Sequence, residues 1–236
     1  MNKKIQYQIL LIILLIIVVV NLSVIIGDVT KTPDNTYNVT EVGCNVNGTV
    51  YKVIAGNTSS NETVGIILGV HPREHEIHEE INKTIYNITS KNGTQNLTKR
   101  YVIYYIQTKD NITSHDETRA AGEELANKYI VPNIVKDNPL VVVDVHEIDP
   151  DYEYSNFIFS LSNRTGKINS YISKLSNNVN LVDYNFDIGT SPEKVTKPIA
   201  DKGITTLLME TSITDSLIQK HQTAENLIRC LDELIP

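Results

Sequence analysis

The segment that most narrows the fold lies mid-chain: Leu140-Val141-Val142-Val143-Asp144-Val145. Consecutive β-branched residues leave no polar face, so this run predicts a strand covered on both sides. Such a strand needs neighbours in its sheet and helices above and below it. The rest of the chain supplies both. Apolar runs at 49–54, 64–70, 101–107, 156–161 and 203–209 read as further strands. Residues 76–89 have helical spacing, with Ile77, Ile81, Ile85 and Ile88 on one face. Ser114-His115-Asp116-Glu117 reads as a helix start that 120–130 continues, and 166–175 and 216–234 are helical. Alternating strands and helices predict an α/β domain with a mixed, largely parallel sheet flanked by helices.

Ahead of that domain, Met1-Asn2-Lys3-Lys4 forms a basic start to a long apolar run from Ile9 to Ile26. The run is about long enough to span a bilayer, and no small-x-small cleavage site follows. Residues 1–27 are therefore expected to be a signal anchor, a single transmembrane helix with its C-terminal side exported. Residues 28–45 are polar and read as a stalk, leaving 46–236 as the domain. Asn-x-Ser/Thr sequons crowd the stretch from Asn38 to Asn111, with another at Asn163, which agrees with an exported, glycosylated chain. Cys44 and Cys230 are the only cysteines among 236 residues. Outside the membrane they could pair; the alternative is two free thiols. The net charge of −7 offers no basic stripe, so a nucleic-acid partner is not expected.

In parallel sheets, sites form at the carboxyl ends of strands. Polar clusters follow apolar strands there: His71-Pro72-Arg73-Glu74 after Val70, Asp144 and His146 around Val145, and Glu210 after Met209. Two imidazoles and a carboxylate suit a zinc ion that keeps one position for water, and a further carboxylate can take that water's proton. Gly69-Val70-His71-Pro72-Arg73-Glu74 resembles the Gly-x-His-x-x-Glu signature of the zinc carboxypeptidases and the related succinylglutamate desuccinylase/aspartoacylase group. Asp144-Val145-His146 resembles the Asp-x-His that brings their third ligand, and the segment from Ala200 to Glu210 resembles the one that delivers their catalytic base. The resemblance implies His71, Glu74 and His146 as zinc ligands and Glu210 as general base and then general acid. It implies that Asp144 accepts a hydrogen bond from a ligand imidazole and that Arg73 meets a substrate oxyanion or carboxylate.

The family's Asn-Arg pair between these motifs has no counterpart. Arg119, the only arginine between Arg100 and His146, either replaces it in substrate binding or solvates a helix. Tyr184 and Tyr154 are the candidates for a tyrosine at the leaving group. His71-Pro72-Arg73-Glu74-His75 also spells an inverted His-x-x-Glu-His motif, which would need both histidines on one helix. His75, Glu76, His78 and Glu79 otherwise read as a solvated helix face, with a substrate-facing rim or a second, weak metal site as the alternatives. The expected activity is that of a membrane-anchored, extracytoplasmic zinc peptidase acting on peptide or cell-envelope amide bonds. The alternatives are a zinc amidohydrolase that deacylates N-acyl amino acids and a non-catalytic binding domain.

Overall fold

The computed structural model of the protein describes residues 35–90, 96–186 and 191–236. The expected anchor over 1–27 lies outside them. Among the described residues, no helix is long and apolar enough to cross a membrane.

The valine run forms β5 (Val141–Ile148), buried at every position. Its neighbours β3 (Thr63–Leu68) and β8 (Thr206–Ser212) run parallel to it. β4 (Arg100–Thr108) joins β3, also in parallel. On the β4 side the sheet ends in antiparallel β2 (Gly48–Asn57) and β1 (Asn35–Asn45). On the β8 side it ends in antiparallel β6 (Phe157–Ser160), which pairs in parallel with the short β7 (Val182–Asp183). The order among the described residues is β1-β2-β4-β3-β5-β8-β6-β7. The sheet is mixed with a parallel centre, as expected, and its margins are more antiparallel than the sequence predicted.

Helices cover both faces. α1 (His75–Thr89), α4 (Gly166–Val179) and α6 (Leu217–Asp232) bury Ile77, Ile81 and Ile85, Ile172 and Leu175, and Leu227 and Ile228 in one core. α2 (His115–Leu125) passes through a π-helical turn, Ala126–Ile130, into α3 (Val131–Asp137). A second π turn, Pro192–Thr196, leads into α5 (Lys197–Ala200). These pack on the opposite face, through Leu125, Ile130, Ile134, Val195 and Ile199. Side chains alternate along β5, so Val141, Val143 and Val145 join the first core and Val142 the second. Asp144 and His146 share the parity of Val142 and so face the α2 side.

Two expectations are corrected. Asn35–Asn45, read as the end of a stalk, is an edge strand paired along its length with β2 and so belongs to the sheet. Its polar composition is that of a strand with one solvated side. Cys44 and Cys230 are free. Cys44 is exposed on β1, whereas Cys230 on α6 is buried in the first core.

Candidate metal centre

β3 ends at Leu68, and Gly69 turns the chain with a positive φ of 81°. A side chain there would strike the carbonyl of Ile106 at 2.5 Å, so the position demands glycine. His71 follows, and the amide of Glu74 donates to its carbonyl at 3.0 Å, closing a turn just before α1. His71 Nδ1 lies 2.8 Å from Glu74 Oε1. His146, near the end of β5, places Nδ1 2.9 Å from Glu74 Oε2 and 3.1 Å from His71 Nδ1. Thus two imidazole nitrogens and both carboxylate oxygens converge on one point, and the three residues are buried. Nitrogens facing each other at this distance have the chemistry of ligands around a shared cation, and the donor set fits a metal ion.

The electrostatics agree. Burial works against the Glu74 carboxylate, but the facing His146 and His71 outweigh it and hold its pKa down. Burial likewise opposes charge on His146, yet Asp144 and Glu74 on its two sides raise its pKa well above the ordinary value. Glu210 lies beside His146 in the register of the neighbouring strand. Its Oε2 is out of solvent reach with no hydrogen-bond partner among the described residues. Burial first, and then the charges of Glu74 and Asp144, push its pKa up to about 8, despite His146.

Asp144 lies against His146, its Oδ1 at ion-pair distance, 3.2 Å, from Nε2 without a hydrogen bond and its Oδ2 accepting from Thr196 Oγ1 at 2.8 Å. Arg119 reaches Glu74 Oε1 through Nη1 at 3.2 Å and lines the cleft above the site, so it does more than solvate α2. Arg73 stands at the exposed rim and donates to the Thr113 carbonyl at 3.0 Å. The cleft has a volume of about 450 Å³; Ile148, Tyr152, Phe186 and Leu208 form its apolar side and Arg73, Arg119 and His115 its basic side.

Other expectations fail. Tyr184 and Tyr154 make a tilted ring contact at 4.8 Å outside the cleft lining, and Tyr152 is the tyrosine that borders it. The inverted helical motif does not form, because α1 starts only at His75, whose ring is exposed and faces the Arg73 carbonyl at 3.4 Å. His78 is not on a solvated face. It is fully buried, accepts from the Gly69 amide at 3.2 Å and donates to the Val145 carbonyl at 2.8 Å, tying together the chain segments that carry His71 and His146. Burial lowers its pKa to about 4, in keeping with a neutral ring that both accepts and donates.

Glu123 and Ser191 went unread in the sequence, and Glu147, seen beside His146, was given no role. Glu123 Oε1 lies 3.3 Å from His71 Nε2, and Ser191 Oγ 3.2 Å from His146 Nε2. Glu147 gives its amide to Glu74 Oε2 at 3.2 Å while its side chain pairs with buried Lys220 at 2.7 Å. Glu123 had a signal: it stands four residues after Arg119, on the same helix face. Ser191 had none.

No protein-family model and no curated protein matches the sequence. Solved structures do match. A metallo-carboxypeptidase from Burkholderia cenocepacia superposes with a TM-score of 0.56 at 14% identity, over 87% of this chain and 66% of that one. The fold is that of the metallocarboxypeptidases. A candidate carboxypeptidase A from Shewanella denitrificans shares it with a TM-score of 0.58 at 15% identity, over 88% of this chain and 66% of that one. A candidate metallopeptidase from Shewanella baltica gives 0.57 at 11% identity, over 84% and 87%. The chain thus spans just under two thirds of the two carboxypeptidases. The resemblance read from His71, Glu74, His146 and Glu210 agrees with this metallocarboxypeptidase fold.

Proposed function

We propose that this chain is a membrane-anchored, extracytoplasmic zinc hydrolase that cleaves peptide or cell-envelope peptide amide bonds. The observation that carries the reading is the convergence of His71, Glu74 and His146 beside Glu210 on an adjacent strand. Two imidazoles and a carboxylate favour zinc over harder cations, which prefer all-oxygen shells. When bound, the ion supplies Lewis-acid chemistry, making a water acidic and a carbonyl electrophilic.

The residues of the chain divide the remaining work. Glu210, which lines the cleft beside His146, acts in its ionised form, taking the proton of the attacking water and returning it to the leaving amine. Arg119 offers its guanidinium to the developing oxyanion from beside Glu74. Arg73 meets a substrate carboxylate at the rim. Asp144 keeps the His146 ring in orientation. The apolar run before residue 27 and the sequons, of which Asn38, Asn61, Asn87, Asn96, Asn111 and Asn163 are exposed, support export and tethering.

A mass-spectrometric screen of the zinc-loaded chain against peptides, envelope peptides and N-acyl amino acids tests the reading. Cleavage of peptide bonds, abolished by chelation, is the expected result. Release of acyl groups alone would reassign the activity to amino-acid deacylation, and no turnover of any class would leave a binding domain.

A further inference from the structure

The buried faces of both candidate ligand imidazoles are served by one short segment. Ser191 Oγ contacts His146 Nε2 at 3.2 Å, and Thr196 Oγ1 donates to Asp144 Oδ2 at 2.8 Å while Asp144 Oδ1 stands 3.2 Å from the same ring nitrogen. From the same turn, Lys194 Nζ reaches across to Glu123 Oε2 at 2.6 Å, and Glu123 Oε1 faces His71 Nε2 at 3.3 Å. The segment is Ser191 and the π turn Pro192–Thr196 that follows it, and Lys194 and Thr196, two residues apart, point to different sides of that turn. Asn127 fixes it against the other π turn by donating to the Lys194 carbonyl at 2.7 Å.

We propose that the 191–196 segment is a positioning clamp for the metal ligands, with Lys194 acting on His71 through Glu123, and Thr196 on His146 through Asp144. A metal-ligating imidazole keeps its orientation by what its other nitrogen meets. Here each partner carboxylate is in turn held by one side chain from this segment. Glu123 and Thr196 are buried, so these contacts restrict their orientations. Lys194 is half exposed and touches neither imidazole, which makes it a positioning residue that can be changed without entering the site.

The inference rests on the metal-site reading above, and the experiment separates the two. Zinc affinity of the full chain is measured by chelator competition for wild type, Lys194→Met, Lys194→Arg, Thr196→Val, Glu123→Gln and the Lys194→Met/Glu123→Gln double variant. Lys194→Met and Thr196→Val are expected to weaken zinc binding roughly tenfold, toward the lower end of what outer partners of metal ligands contribute. Lys194→Arg should restore the affinity, and Lys194→Met should add nothing once Glu123 is Gln. Thermal melting of the metal-free variants reports folding. Zinc affinity of folded Lys194→Met within twofold of wild type, or full additivity with Glu123→Gln, overturns the clamp and leaves the metal site standing. A wild-type chain that binds no zinc overturns both.

Discussion

Glu210 is where burial and charge conflict most sharply. Its folded pKa, about 8, lies above the ordinary value of 4.5, so the metal-free protein holds a proton that the unfolded chain releases. The neutral carboxyl therefore costs nothing below about pH 4.5, and stability is lost progressively as pH rises toward 8. Denaturant melts of metal-free Glu210→Gln should show a flatter pH dependence between about pH 5 and 8 than wild type; parallel curves contradict the assignment. The same substitution is expected to lower turnover roughly 10²- to 10⁴-fold, the range of general acid–base catalysis, with zinc affinity changed only a few-fold. Steady-state kinetics beside metal analysis checks this, and unchanged turnover removes Glu210 from the mechanism.

At the scale of elements, the site depends on how closely α2 approaches the end of β3. A side chain at Gly122 would lie 1.9 Å from the Val70 carbonyl, so only glycine lets α2 settle there and bring Arg119 and Glu123 to the ligands. Gly122→Ala should cost about 1–3 kcal/mol in stability through overpacking, and weaken metal binding as well. A wild-type melting temperature and affinity would contradict that view of the packing. The strands that end in His71, His146 and Glu210 were legible in the sequence because apolar runs met polar residues at their carboxyl ends. The helix starts were legible too: Ser114 accepts from the Glu117 amide at 3.2 Å, and Ser216 forms a capping box with Gln219. β1 was not, because an edge strand with one solvated side lacks a hydrophobic run; Val39 is half exposed there. Nor were the π turns, since each is only five residues long, too short for its change of period to show in the sequence pattern. Ser191, Lys194 and Thr196 were hidden for that reason, and His78 because a polar helix-face pattern does not tell a buried strap from a solvated residue.

For the whole molecule, the acidic composition and fold are compatible with either side of a membrane, and the proposal of an exported, anchored enzyme rests on residues 1–27 and the sequons. Protease added to intact cells should degrade the domain while sparing cytoplasmic markers; protection until lysis would place it inside. The central claim is the metal centre itself. Its most direct test is the zinc content of the full-length purified chain, wild type against His146→Ala, by elemental analysis after equilibration with zinc and desalting. About one ion per chain in wild type and near none in the variant is the predicted result. Equal metal in both, or none in either, would contradict a centre built on His71, Glu74 and His146.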